Sequence, residues 1–160
     1  MKALVISLLL IFSSCAFVVK KVDRVYIDDL NFNDSMSRSA FDQVVNILNH
    51  EPKHERVSFE DQTLRKVSIK IGQLEKNVLG ECSCDWDNSC LITINSSLKI
   101  KSEDSIRVME DKFRETKLVI LHELGHAFGY KHSDRINNIM NGTLQAQPFT
   151  NLNFFNFDSE

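Results

Sequence analysis

The chain has 160 residues, 42 % of them hydrophobic, with five glycines, two prolines and a formal charge of −3. That is enough apolar material for one core and one domain of this length. No basic run is present, so nothing in the charge pattern points to nucleic acid.

Residues 1–15 read as an export signal, leaving 16–160 as a single domain. Lys2 supplies a short positive region, residues 3–12 are an almost unbroken apolar run, and Ser13, Ser14, Cys15 and Ala16 are the small residues of a cleavage site. The run is too short to cross a bilayer as a helix. The expected destination is outside the cytoplasm, secreted or held at the cell envelope. Phe12-Ser13-Ser14-Cys15 resembles a bacterial lipoprotein box in which Cys15 becomes the lipidated first residue, although Phe12 stands where Leu is usual. Ordinary cleavage after Cys15 or Ala16 is the competing reading. A lipid on Cys15 is the one membrane contact expected.

Residues 22–27 are β-branched and alternating, which predicts a first strand. Ala40, Phe41, Val44, Val45 and Leu48 recur at helical spacing, so 37–50 reads as an amphipathic helix capped by Ser35 or Ser37. His50 and His54 flank its end. A solvent-facing pair favoured by the helix dipole outweighs a metal role there. Short strands are expected at 57–60, at 67–72 (Val67, Ile69 and Ile71 alternating with polar residues), at 78–84 and at 91–95.

Cys82, Cys84 and Cys90 fall within nine residues. In an exported chain they favour a disulfide. Cys90 pairs with Cys84 or with Cys82 around the loop 85–89 and leaves one thiol over, with Cys84 and Cys90 the candidate pair. A second zinc site would need a fourth ligand, and C-x-C is not the usual spacing. Asp85 and Asp87 raise calcium, but no twelve-residue EF-type pattern accompanies them, so a solvated hairpin tip is expected and calcium stays open. Ser102, Glu103 and Asp104 look like a helix start. Ile106, Met109 and Phe113 continue that spacing, running into or bending toward a mostly buried helix over 113–128.

The most informative stretch follows. From His122 the chain reads His-Glu-Leu-Gly-His-Ala-Phe-Gly-Tyr-Lys-His, the HExxHxxGxxH pattern of zinc peptidases. Residues four apart share a helix face, so His122 and His126 can aim two imidazoles at one ion. Glu123 stands about 100° further round, where a base acting on a bound water belongs. Gly129 can turn the chain out of the helix at no Cβ cost, which lets His132 approach from outside. Three neutral histidines leave one tetrahedral position for water, the signature of a catalytic site. One zinc ion is therefore the expected cofactor.

These residues resemble a metzincin, most closely a matrixin-type zinc endopeptidase. The resemblance rests on the motif, on Ser133 directly after the third histidine, and on Ile139-Met140, with Met140 placed as the methionine of a Met-turn. It is specific over 118–140 and topological over 22–95. It implies an α+β zincin domain: a mixed four- to five-stranded sheet, one backing helix, a buried active-site helix and the Met-turn below the zinc. It implies that His122, His126 and His132 bind zinc, that Glu123 is general base and that Met140 is the hydrophobic floor. It also implies an extended protein or peptide substrate lying antiparallel to an edge strand, for which 78–84 is the candidate, and a monomer is expected. Gly142 stands where astacins and serralysins carry a ligand tyrosine, which argues against those branches. No Pro-Arg-Cys-Gly switch is present. The twenty residues after Met140 leave the S1′ wall undefined, since the usual C-terminal helix is hard to find in 147–160. The rival readings are a non-catalytic, zinc-containing binding domain and an adhesive surface lipoprotein. Neither needs Glu123.

Overall fold

The computed structural model describes residues 19–50, 55–134 and 138–142. The expected export signal over 1–15 with Cys15, His54 and the segment after 142 lie outside these described residues.

The alternating residues build one mixed sheet. Its strands are β1 (Val25–Asn31), β2 (Val57–Ser58), β3 (Arg65–Gly72), β4 (Gly80–Cys84) and β5 (Ser89–Asn95), in the order β2-β1-β3-β5-β4. β4 runs antiparallel to β5, and the other pairings are parallel. Val67, Ile69, Ile92 and Ile94 are buried, as expected where helices cover a sheet face. The first strand starts three residues later than the periodicity suggests, because Val22 leaves the sheet to donate its N–H to Phe128 O at 2.9 Å.

Helix α1 (Ser35–Asn49) buries Ala40, Phe41, Val44 and Leu48, the apolar stripe expected of it. Its cap is neither Ser35 nor Ser37. Asp34 takes that position, and its carboxylate accepts from Ser37 N at 2.7 Å. His50 follows the last turn and is exposed, as a solvated helix-end histidine should be.

The second helix also starts elsewhere. Ser105, not the 102–104 acidic run, caps it through Val108 N, and α2 (Ile106–Ala127) then runs 22 residues without a break. Asp104 instead binds Lys112 Nζ at 2.7 Å. From Leu118 onward nearly every residue of α2 is buried between α1 and the sheet. No helix among the described residues is long and apolar enough to cross a membrane.

The β4–β5 hairpin is closed by a disulfide between Cys84 and Cys90, while the Cys82 thiol lies buried 3.8 Å from Cys84 Sγ. Asp85, Trp86 and Asp87 at its tip are exposed, and Asp87 accepts from Ser89 N and Oγ. Those two bonds lower the Asp87 pKa and occupy the carboxylate within its own turn.

Candidate metal centre

The helix that presents His122, Glu123 and His126 ends in a Schellman motif. Tyr130 N donates to Gly125 O at 3.0 Å and Gly129 N to His126 O at 2.9 Å, with Gly129 in the left-handed region at φ 94°. A Cβ there would also meet the crossing chain, 2.8 Å from Lys20 O and 2.9 Å from Lys21 Cα. Glycine is thus required for two independent reasons. Gly129→Ala is expected to cost about 1–2 kcal/mol from the backbone conformation alone, and more from the collision. The test is a fall in the denaturant midpoint at unchanged slope.

The turn brings His132 back onto the helix face. His122 Nε2 lies 3.3 Å and His126 Nε2 3.1 Å from His132 Nε2. The opposite ring nitrogens fix the tautomers. His122 Nδ1 donates to Ile139 O at 2.7 Å and His126 Nδ1 donates to Tyr130 O at 2.9 Å, since a carbonyl can only accept. Both Nε2 atoms are therefore unprotonated and face His132 Nε2. A cation between the rings would suit the three converging nitrogens. Tetrahedral zinc–nitrogen bonds of about 2.0–2.1 Å space their ligand nitrogens about 3.3–3.4 Å apart, close to the distances found. The donor set fits zinc, and the backbone carbonyls supply the outer contacts that orient metal-bound histidines.

Burial is graded across the cluster: His122 is buried, His126 half-buried and His132 exposed. Desolvation pushes the His122 pKa down to about 3 and that of His126 to about 4, and lowers that of His132. All three are neutral near pH 7, the form that binds metal.

Glu123 is 1 % exposed. Burial, then the charge of Glu81, raises its pKa to about 8, and its Oε1 has no hydrogen-bond partner among the described residues. The carboxyl lies against β4, where a Cβ on Gly80 would come 2.7 Å from Oε1 and 2.5 Å from Val119 Cγ1. The edge strand and the acid are therefore in direct contact.

Met140 is buried in the core. Its carbonyl accepts from Ser133 N at 2.9 Å and its own N–H donates to Asn138 Oδ1 at 2.8 Å. The turn at 138–141 thus ties down the chain after His132 while Ile139 O orients His122. The Tyr130 ring packs against the core beneath Lys21 Nζ, 4.8 Å from its centroid.

Several contributors escaped the sequence. The Ile139 and Tyr130 carbonyls are backbone groups and leave no side-chain signature. Gly80 lies within the strand expected over 78–84, and nothing in its spacing singles it out. Asn95, one of three N-x-S/T sites with Asn33 and Asn141, is buried. It donates to Val78 O at 2.6 Å and Glu75 O at 3.2 Å, fastening the chain that leads into β4.

Compared with known proteins, the chain matches the family model described as Peptidase_M10, matrixin, over residues 23–159. A search of curated proteins finds no match.

Proposed function

The chain belongs to the matrixin family of metalloproteases, and from that premise we propose that it is a zinc-dependent endopeptidase acting on extended stretches of protein. The observation that carries this reading is the convergence of His122 Nε2 and His126 Nε2 on His132 Nε2. His122, His126 and His132 hold the zinc, which when bound lowers the pKa of a water to about 7 and polarises a carbonyl.

The remaining steps belong to the chain's own groups. Glu123 is the one carboxyl beside the histidines on α2, and its unpartnered Oε1 lacks a donor that a water can supply. As general base it takes the proton from the attacking water, and it returns that proton to the amine as the C–N bond breaks. Its burial strengthens this exchange, since few competing waters reach the carboxyl. The outer edge of β4 pairs with no strand among the described residues. A substrate segment added there gains backbone hydrogen bonds with little demand on side chains and passes directly over Glu123. Export through residues 1–15, with or without a lipid on Cys15, belongs to the same proposal and gives the enzyme protein substrates outside the cytoplasm.

The test is hydrolysis of unfolded casein or gelatin by purified protein, as isolated, after chelation, and after zinc is restored. Cleavage that disappears and returns with zinc supports the reading. Zinc-loaded protein that cuts neither substrate at neutral pH overturns it and leaves the non-catalytic binding domain.

A further inference from the structure

Arg65 opens β3 and is 5 % exposed, yet the peptidase chemistry assigns it no part. Its guanidinium donates from Nη1 to Ala127 O, from Nη2 to Lys20 O and from Nε to Asn88 Oδ1, each at 2.8 Å. The acceptors are neutral and come from three segments remote in sequence: the end of α2, the chain before β1, and the β4–β5 turn. Burial lowers the pKa of this guanidinium. The Ala127 carbonyl offsets that cost, because it belongs to the last turn of α2, the negative end of the helix dipole.

Two of these contacts meet at the turn that delivers the third histidine. The Lys20 carbonyl held by Nη2 is the atom nearest to a Cβ built on Gly129, so Arg65 pins the chain against that residue. Val22 N donates to Phe128 O one residue earlier, and Lys21 lies over the Tyr130 ring. Tyr130 O in turn orients His126, and His132 follows two residues later. The pinned Lys20 precedes residue 23, where the family match begins.

We propose that Arg65 is a positioning residue for the metal centre. By holding the Ala127 and Lys20 carbonyls together it fixes the turn at Gly129, and through it the approach of His132 to the other two ligands. The inference rests on the reading of the three histidines as zinc ligands.

Zinc affinity, measured by competition with a chromogenic chelator, is compared with zinc-free thermal melting for Arg65→Met and Arg65→Lys. Arg65→Met is expected to weaken zinc binding about 10–100-fold, the range found for groups that orient metal ligands. Arg65→Lys, whose single ammonium cannot span the same acceptors, falls between it and wild type. Two controls separate positioning from general stability. Asn88→Gly removes the hairpin acceptor at a φ of 71° that suits glycine and should keep wild-type zinc affinity. Ile92→Val lowers the melting point through the core and should keep it too. Arg65→Met binding zinc as tightly as wild type, at a lowered melting point, would overturn the proposal. So would equal zinc losses in Asn88→Gly and Ile92→Val. If Arg65→Met does not fold, Arg65→Lys against the same controls decides. Wild-type protein that binds no zinc at all sinks the functional reading instead, and shows before any variant is compared.

Discussion

Glu123→Gln is expected to lower kcat on a peptide substrate by about 10²–10⁴-fold, the usual contribution of a general acid–base group, while zinc binding stays near wild type. The amide keeps the shape and burial of the carboxyl but cannot take the water proton. In the proposed reading the metal is held by the three imidazoles, and no hydrogen bond joins them to Glu123 among the described residues. A second consequence appears in the zinc-free protein. The Glu123 pKa rises from 4.5 to about 8 in the fold, so the acid is protonated there at neutral pH. Its contribution to stability is fully present below pH 4.5 and is lost as the pH rises toward 8. Glutamine has no such loss. Zinc-free Glu123→Gln is therefore expected to melt several degrees above zinc-free wild type at pH 8 and to match it near pH 4.5. Paired melting curves at the two pH values provide the check, and a Gln variant no more stable at pH 8 would mean that Glu123 is not strained by burial.

What could be read from the residues follows from where the information resides. The three histidines, Glu123 and Gly129 are legible because helical spacing and a left-handed turn impose residue types at fixed distances. The strand and helix stripes are legible because Val67, Ile69, Phe41 and Val44 have to alternate with polar neighbours on one buried face. Boundaries were less so. Asp34 takes the cap from Ser35, and Ser105 takes it from the 102–104 run, because several residues in each stretch have competent oxygens and tertiary packing chooses among them. The tie at Arg65 was invisible. Its partners are the carbonyls of Ala127 and Lys20 and one turn asparagine, up to 62 residues away, and a carbonyl carries no residue identity. Gly80 is similar. It is small because the Glu123 carboxyl lies against it, a contact made only when β4 packs on α2.

Removing a metal ligand separates metal binding from folding, because the three histidines differ in burial. His132 is exposed, so His132→Ala should leave the zinc-free melting point within about 1 °C of wild type, as surface substitutions usually do. His122 is fully buried and donates to Ile139 O. His122→Ala opens a cavity and strands that carbonyl, a loss of about 2–4 kcal/mol in the zinc-free protein. Both variants should lose zinc and, with it, all measurable peptidase activity. In wild type, zinc at about 1,000 times its Kd adds about 4 kcal/mol to stability by mass action. That corresponds to a rise of roughly 10 °C in Tm for a domain of this size. The rise should vanish in both variants, although one zinc-free parent is as stable as wild type and the other is not. Calorimetry of the three proteins with and without zinc gives all six values. A His132→Ala protein that still gains stability from zinc would remove the exposed histidine from the ligand set. The turn at Gly129 would then have to serve some purpose other than bringing His132 to the metal.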